Sequence, residues 1–243
     1  MRLYGKRPVM ERLKAAPKTI RTLYLQQETD SSDLVRAAKE LKLPFVSLPK
    51  PAFAKLAGEI HAQGVLAEVD PFHYVPLAEL LGRPEPAGRP EPRPTLFLLD
   101  RVTDPQNLGN ILRTLACLGQ MGIVLPKHDS AEINETVLRV ACGGENYVAV
   151  AQVTNLVTAC EQAKKAGWWI VGTAVSGGTP LGQVSWPHPL AVVIGSEGSG
   201  IRPGLKKHLE MTVTLPMRGA PLSFNVATAA ALIAYEITRS RSR

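Results

Sequence analysis

A proline-rich segment before the middle of the chain constrains its fold more than any other feature. From Gly82 to Pro94 the sequence reads Gly-Arg-Pro-Glu-Pro-Ala-Gly-Arg-Pro-Glu-Pro-Arg-Pro. Proline fixes φ and has no backbone N–H group, so this density of proline prevents helix and sheet and favours extended polyproline geometry. We therefore predict two folded domains, residues 1–76 and 95–243, joined by a linker over residues 77–94.

The residues before the linker carry alternating helix and strand signals. Strands are predicted at Thr19–Gln26, Phe45–Leu48 and Gly64–Val69. Helices are predicted around Pro8–Ala15, from the candidate caps Ser31–Asp33 to Leu41, and at Pro51–Ala57. This order of elements predicts a small sheet with helices on its faces, and the segment contains no catalytic constellation.

The residues after the linker repeat a strand–loop–helix pattern. Thr95–Leu99 is a nearly unbroken apolar run, as expected of a strand buried on both faces. Further strands are predicted at Gly122–Leu125, Tyr147–Val153, Trp168–Gly172, Leu190–Ile194 and Thr212–Leu215. Helices are predicted at Asn107–Leu118, at Leu156–Ala166 and from about Asn225 onward. The pattern predicts an α/β domain with a mostly parallel sheet.

The charge of the chain favours a polyanionic partner. The formal net charge is +7, a value that suits nucleic acid binding although it does not require it. Basic residues crowd the first stretch against a single acid, Glu11, and alternate with serine at the other end. These residues are Arg2, Lys6, Arg7, Arg12, Lys14, Lys18 and Arg21, then Arg239, Arg241 and Arg243. The alternative is that each cluster is a solvated face or a frayed tail.

The chain lacks the sequence features of membrane, secreted and metal-binding proteins. Its longest apolar stretch, Val226–Tyr235, is too short to cross a bilayer, and we expect no signal peptide. Cys117, Cys142 and Cys160 form no CxxC pair and are expected to be reduced thiols. The five histidines are scattered, so no metal site is expected. We therefore expect a cytoplasmic protein without a metal.

The first stretch with candidate chemistry is the helix that follows Thr95–Leu99. Asn107, Asn110 and Arg113 are spaced by three and therefore share one side of this helix. Leucine and isoleucine residues occupy the other side and would face the core. Two amides and a guanidinium in a row suit a phosphate or a ribose. An ordinary exposed polar face is the alternative interpretation.

Two further stretches place polar groups where a predicted strand ends. In Ile194–Ile201, glycines and the carboxylate of Glu197 follow a buried strand, which indicates a backbone that approaches a ligand closely. The glycine spacing matches neither a P-loop nor a dinucleotide fingerprint, and a tight surface turn is the alternative. In the last stretch, Ser223 and Asn225 stand where a loop enters an alanine-rich helix, and a capped core helix is the alternative.

These three stretches together resemble the motifs of a known family. Asn107 with Arg113, then Ile194–Gly198, then Leu215–Met217 with Ser223–Asn225 match, in order, the three motifs of the SpoU/TrmH family. Members of this family are RNA ribose 2′-O-methyltransferases of the SPOUT superfamily. Each motif alone is a weak signal, but three in order at strand ends form a strong one.

The resemblance extends over nearly the whole chain. Tyr4-Gly5 with Val9 is similar to the family's substrate-binding domain, a small α/β domain of ribosomal-protein-like type. Arg139–Gly143 and Val153–Leu156 point to the branch that methylates a guanosine in 23S rRNA. The resemblance implies a SPOUT-type domain with a trefoil knot, S-adenosylmethionine as cofactor, rRNA as substrate, and a homodimer with its active site near the subunit interface.

The resemblance also implies roles for individual residues. The implied catalytic residues are Arg113, Asn107, Glu197, Ser223 and Asn225. The implied cofactor-binding residues are Thr173, Gly195, Leu215, Met217 and Phe224. Arg113 is the implied general base, yet a guanidinium is effectively always charged in proteins and accepts no proton. We therefore expect Arg113 to act mainly as a clamp on phosphate and hydroxyl groups, with Glu197 ordering its loop or contacting Asn107.

Other functions stay open at this point. The chain departs from the pattern of its closest relatives at Phe224 and at Arg218–Pro221, which leaves the target nucleotide open. Methylation of a tRNA or of a different rRNA nucleotide is therefore the main alternative. A non-catalytic RNA-binding protein would lack the polar residues of the motifs, all of which are present. A dinucleotide-dependent enzyme would need a fingerprint that the sequence lacks.

Overall fold

A computed structural model describes residues 1–58, 60, 62–82, 94–119, 121–220 and 222–241. Within these residues the chain forms two β-sheets, one of four strands and one of seven. The smaller sheet lies before the proline-rich segment and the larger one after it. No helix in the described part of the chain is long and apolar enough to cross a bilayer.

The smaller sheet combines the three predicted strands with one that was not predicted. Its strands are β1 (Arg2–Tyr4), β2 (Ile20–Gln26), β3 (Phe45–Leu48) and β4 (Val65–Val69). Their order is β1-β4-β2-β3, with β4 antiparallel to both neighbours and β2 parallel to β3. The helices are α1 (Lys6–Ala15), α2 (Ser32–Glu40) and α3 (Lys50–Ala57), all within a few residues of the predicted ones.

The larger sheet is parallel in every one of its strand pairs. Its strands are β5 (Thr95–Leu99), β6 (Met121–Pro126), β7 (Val150–Val153), β8 (Trp169–Ala174), β9 (Thr179–Pro180), β10 (Leu190–Ile194) and β11 (Met211–Thr214). Their order is β7-β6-β5-β10-β8-β11-β9. The prediction of a mostly parallel α/β sheet is confirmed. The trefoil knot stays a prediction, because strand order does not by itself determine how the chain threads.

Helices of different lengths connect these strands. After α4 (Leu77–Leu81), they are α5 (Pro105–Leu118), α6 (Glu135–Ala141), α7 (Leu156–Lys165), α8 (Pro203–Lys206) and α9 (Val226–Arg241). Neither α6 nor α8 was predicted. The strand predicted at Tyr147–Val153 begins only at Val150, because a 3-10 turn at Gly144–Asn146 precedes it.

The prediction of an extended linker from residue 77 onward is wrong at its start. Residues 77–81 form α4, and Leu80 is buried in the apolar cluster that covers one face of the larger sheet. Trp168 also donates a hydrogen bond from Nε1 to the carbonyl of Leu81. The reason is local: prolines crowd only after Gly82, whereas Leu-Ala-Glu-Leu-Leu is a good helix sequence. Residues 83–93 of the predicted linker lie outside the described residues.

All three cysteines are free thiols, as expected. Cys117 is exposed on α5, and Cys160 is buried on α7. Burial raises the pKa of the Cys160 thiol to about 12, so this thiol stays protonated at neutral pH.

A buried ion pair joins the two parts of the chain. Arg12 on α1 donates from Nη2 to Glu145 Oε1 at 3.0 Å. The two side chains are 8% and 0% exposed. Burial raises the pKa of Glu145, and Arg12 opposes that shift. Arg2 adds a second link, since its backbone N–H donates to Glu135 Oε1 at 2.8 Å. One apolar cluster around these contacts contains residues of both parts.

We predict that Arg12→Met lowers the free energy of unfolding by about 3–5 kcal/mol, because it leaves Glu145 charged and buried without a partner. The double variant Arg12→Met/Glu145→Leu is expected to recover most of that loss. Because protonation neutralises Glu145, the defect of the single variant should be smaller at acidic than at alkaline pH. Urea unfolding measures each value.

Arg21→Met is the matched control for this prediction. It removes an exposed pair with Asp70, whose side chains are 69% and 42% exposed, and should cost less than about 1 kcal/mol. If Arg12→Met and Arg21→Met lowered the free energy of unfolding equally, the buried pair would not be an important source of stability.

Candidate active site

The three candidate stretches meet at one edge of the larger sheet. Because β5, β8, β10 and β11 are parallel neighbours, their carboxyl ends lie at the same edge. The loop before α5 follows β5, the glycine-rich loop at residues 195–202 follows β10, and the loop before α9 follows β11. In parallel α/β sheets, ligands bind outside the carboxyl ends of the strands.

Helix α5 presents the first stretch. Asp104 caps the helix by accepting a hydrogen bond from the backbone N–H of Gln106 at 2.9 Å, with Pro105 in the first turn. The side predicted to face the core is buried, through Leu108, Ile111, Leu112 and Leu115. On the opposite side Asn107 is half-buried, whereas Asn110 and Arg113 are exposed. The predicted division of this helix into two faces is confirmed.

A polar cluster of Asn107, Glu197 and Asn225 links the three stretches. Glu197 Oε1 accepts hydrogen bonds from Asn225 Nδ2 at 2.6 Å, from the Val226 backbone N–H at 3.1 Å and from Asn107 Nδ2 at 3.4 Å. Asn225 Nδ2 also donates to Asn107 Oδ1 at 3.0 Å. The expected contact between Glu197 and Asn107 is present.

The cluster stands at the amino end of α9. Asn225 Oδ1 accepts hydrogen bonds from the backbone N–H groups of Ala227 at 2.9 Å and Thr228 at 3.4 Å, so Asn225 is the helix cap. The carboxylate of Glu197 therefore lies at the positive end of the helix dipole. Ser223, the other candidate at this boundary, is exposed and does not cap the helix.

A cavity of about 430 Å³ opens beside this cluster. All five residues predicted to bind a cofactor line it, namely Thr173, Gly195, Leu215, Met217 and Phe224. Two of the predicted catalytic residues, Glu197 and Ser223, also line it. Asn107, Arg113 and Asn225 do not line the cavity, although Asn107 and Asn225 bond to Glu197 at its border. The structure thus brings the predicted cofactor residues together.

Several residues of the cavity wall were missed by the sequence analysis. Val226, Ala229 and Ile233 of α9 line the cavity, as do Ile201 and Lys206 near α8. The spacing of three and four on α9 is the signal of a helix face, and it could have indicated which side of this alanine-rich helix faces a neighbour. Ile201 and Lys206 carry no comparable signal.

Arg113 lies on α5 where the 3-10 turn at Gly144–Asn146 packs against the helix. A Cβ on Gly144 would lie 2.9 Å from the Cα of Arg113, so this glycine allows the backbones to approach closely. The Arg113 side chain itself is exposed and makes no hydrogen bond or ion pair within the described residues. Its guanidinium is therefore available to an anionic ligand.

Within the described ranges, no group of histidine, cysteine and carboxylate side chains could hold a metal ion. The described residues at the site provide amides, hydroxyls, one carboxylate, one guanidinium and backbone groups around an apolar cavity.

Two family models match the chain. The SpoU rRNA Methylase family matches residues 94–235. A model described as RNA 2′-O ribose methyltransferase substrate binding matches residues 2–75. The two matches correspond to the larger and the smaller sheet with their helices.

Individual proteins are similar to the chain as well. It is 41% identical to an uncharacterized tRNA/rRNA methyltransferase of Synechocystis over 179 residues, which are 74% of this chain and 46% of that protein. It is 34% identical over 247 residues to the 23S rRNA (guanosine-2′-O-)-methyltransferase RlmB of Pseudomonas aeruginosa, with 99% of this chain and 97% of that protein covered.

A solved structure shares the fold. The SpoU methyltransferase AviRb of Streptomyces viridochromogenes, in complex with the cofactor AdoMet, matches with a TM-score of 0.79 at 23% identity. The match covers 100% of this chain and 90% of that chain. At this level of identity the likeness establishes the fold alone.

We predict that Glu197→Ala exposes the amide of Val226 to solvent exchange, because this amide loses its acceptor. The exchange rate should rise roughly tenfold, which corresponds to the loss of one hydrogen bond to a charged group, about 1.5 kcal/mol. Glu197→Gln keeps an oxygen acceptor, so the exchange rate of its Val226 amide should lie between those of the wild type and Glu197→Ala. Hydrogen exchange followed by NMR measures the rates.

Glu161→Ala is the control, since Glu161 is exposed on α7, away from the cavity. Unchanged protection of Val226 in Glu197→Ala would show that Glu197 does not hold the amino end of α9.

Proposed function

The chain belongs to the SpoU rRNA methylase family, and on that basis we propose that it methylates the ribose 2′-hydroxyl of a guanosine in 23S rRNA, with S-adenosylmethionine as methyl donor. The observation that carries the proposal is the polar cluster of Asn107, Glu197 and Asn225 at the border of a cavity lined by all five predicted cofactor residues. The RlmB protein of Pseudomonas aeruginosa, whose name gives this activity, supports the choice of substrate.

The cavity suits S-adenosylmethionine by its size and chemistry. Its volume of about 430 Å³ falls in the range of roughly 300–1,000 Å³ that is typical of small-molecule sites. Leu215, Met217 and Phe224 provide an apolar wall for an adenine ring, and the backbone of Gly195 provides polar groups. Thr173 Oγ1 donates to the Val193 carbonyl at 3.3 Å, which leaves its oxygen free to accept. When bound, the cofactor supplies a methyl group already activated on a sulfonium.

The residues of the chain then have to position a ribose. In-line positioning supplies much of the rate in a displacement of this kind. Glu197 fixes the amides of Asn107 and Asn225 relative to each other, and these two residues join α5 to the start of α9. We assign the cluster to orientation of the ribose beside the cavity.

Arg113 is assigned to the substrate phosphate and hydroxyl. It lies on the same helix face as Asn107, is exposed, and makes no ion pair within the described residues. A guanidinium is planar and binds phosphate through two parallel hydrogen bonds. Because a guanidinium has five N–H donors and no acceptor, it is better suited to hold the phosphate and hydroxyl than to remove the hydroxyl proton.

Residues 1–76 are proposed to bind the RNA, and residues 95–243 to carry out the chemistry. The match to a substrate-binding model over residues 2–75 supports this division. Arg7, Lys14, Lys18 and Arg21 are exposed there and provide positive charge for the RNA backbone.

A homodimer is proposed from the apolar surface next to the site. Leu222, Phe224, Leu232 and Tyr235 are 72%, 40%, 39% and 58% exposed. Burial of exposed apolar groups at an interface is favourable, and a second copy of the chain is the partner proposed here. Since rRNA is the proposed substrate, we also propose a cytoplasmic location.

Methylation of a tRNA or of another rRNA nucleotide is the second candidate function. It is favoured by the Synechocystis relative, whose name leaves tRNA and rRNA open. Mapping of 2′-O-methyl sites on 23S rRNA and tRNA, from cells with and without the protein, distinguishes the two. Loss of one site in 23S rRNA would support the proposal, and loss of a tRNA site alone would support the second candidate.

We predict that the protein binds S-adenosylmethionine equally well with and without a metal chelator, because the described residues form no metal site. Isothermal titration calorimetry measures the affinity. Loss of binding on chelation would contradict a cavity that works without a metal.

We predict that Arg113→Ala leaves the free energy of unfolding and the cofactor affinity close to those of the wild type, because the side chain is exposed and outside the cavity. Methyl transfer to rRNA should fall by at least about a hundredfold, as expected when a group that positions the reactants is removed. A single-turnover assay with labelled cofactor measures the rate.

Arg113→Lys distinguishes a clamp from a base. Lysine keeps the charge but loses the planar two-pronged grip, so the clamp role predicts low activity at every pH. Recovery of activity with rising pH, at normal RNA affinity, would favour proton removal by residue 113. Near wild-type activity of Arg113→Ala would refute the site assignment.

A further inference from the structure

Arg101 has an unusual backbone conformation at the edge of the sheet where the cavity opens. It lies two residues after the end of β5, and its φ of 61° is in the left-handed region. Residues other than glycine, asparagine and aspartate adopt this region rarely, because their Cβ crowds the backbone. Such strain persists only where surrounding contacts enforce it.

The Arg101 side chain contacts the glycine-rich loop at residues 195–202. Its Nη2 donates a hydrogen bond to the carbonyl of Gly200 at 3.1 Å. Residues 194–201 of this loop region all line the cavity, whereas Arg101 itself does not. Arg101 therefore reaches the cavity through the loop, and its Nε also lies 3.9 Å from Oδ1 of buried Asp100.

Other residues hold the base and the tip of the same loop. At its base, fully buried Asp100 accepts a hydrogen bond from the Arg202 backbone N–H at 2.9 Å and lies 2.6 Å from Arg202 Nε. At its tip, Glu197 binds Asn107 and Asn225. Gly200 lies between these anchors, and its carbonyl is held by Arg101.

A shift of Gly200 would be transmitted to a predicted cofactor residue. Gly195 packs so closely on Gly200 that a Cβ on Gly195 would overlap the Gly200 backbone. Gly200 also donates its backbone N–H to the Ser196 carbonyl at 3.0 Å. The two arms of the loop are therefore packed against each other, so a shift of Gly200 would displace Gly195.

We propose that Arg101 is a positioning residue for the cofactor: its guanidinium holds the loop at residues 195–202 against the cavity, and the strained backbone at residue 101 persists because of this contact. The inference rests on the proposed binding of S-adenosylmethionine to this cavity. It gives Arg101 a role in cofactor affinity that is separate from the stability of the fold.

The test compares stability and cofactor affinity in Arg101→Gly. Glycine relieves the left-handed strain and removes the guanidinium, so the midpoint of thermal unfolding should stay equal to that of the wild type or rise. The dissociation constant of S-adenosylmethionine should rise at least about tenfold, as for the loss of a hydrogen bond from a charged group. In the cofactor-free protein, amides of residues 195–201 should exchange faster.

Lys42→Gly is the matched control. Lys42 is also a cationic residue at positive φ, 54°, but it is exposed in the part of the chain that precedes the linker and is far from the cavity in sequence and sheet. Its replacement should leave both the cofactor affinity and the loop exchange unchanged. Arg101→Lys keeps a side chain at the left-handed φ and a cationic hydrogen-bond donor. Its affinity for S-adenosylmethionine should lie between those of the wild type and Arg101→Gly.

The outcomes separate this inference from the proposed function. Failure of the wild type to bind S-adenosylmethionine would overturn the proposed function, and loop exchange would then still show whether Arg101 holds the loop. Wild-type affinity and wild-type loop exchange in Arg101→Gly would overturn the inference. A midpoint lowered by more than about 4 °C in Arg101→Gly would also overturn it, since Arg101 would then stabilise the fold itself.

Discussion

The site depends on one carboxylate oxygen. Glu197 Oε1 accepts three N–H groups, from Asn107, Asn225 and Val226, and these residues belong to two helices that follow different strands. The amino end of α9 supplies one of these donors and a favourable dipole for the negative charge. Because Glu197 sits at the tip of a loop that lines the cavity, the same contact fixes both the proposed catalytic amides and the cavity wall.

Backbone segments approach each other closely at two points in this region. Gly195 packs on Gly200 within the glycine-rich loop, and Gly144 packs on the backbone of Arg113. Neither position has room for a Cβ without movement of its neighbour, and close-packed interiors transmit such movements. The buried pair of Arg12 and Glu145 lies one residue beyond Gly144. The turn at Gly144–Asn146 therefore contacts both the proposed RNA-binding domain and the helix that carries Arg113.

The sequence by itself determined the limits of several elements, one buried helix face and one helix cap. The limits of β3, β5 and β10 agree with the prediction, because each is an apolar or alternating run bounded by polar or turn residues. The buried face of α5 and the cap at Asn225 also follow from local rules of spacing and capping. Residue roles in the three motifs were assigned by resemblance to a family, and all of these residues except Arg113 line one cavity or belong to one polar cluster.

Only the tertiary structure decided which distant groups meet. Several contacts join residues that are far apart in the chain. Strand β10 lies between β5 and β8, and α9 adds a wall to the cavity. Arg101 contacts Gly200, and Arg12 pairs with Glu145. Helix α4 has a locally favourable sequence, and the tertiary structure decided only that its Leu80 is buried against the larger sheet. The periodicity and spacing of residues predict the local structure of one segment. The contacts between distant segments depend on which of their surfaces are buried against each other.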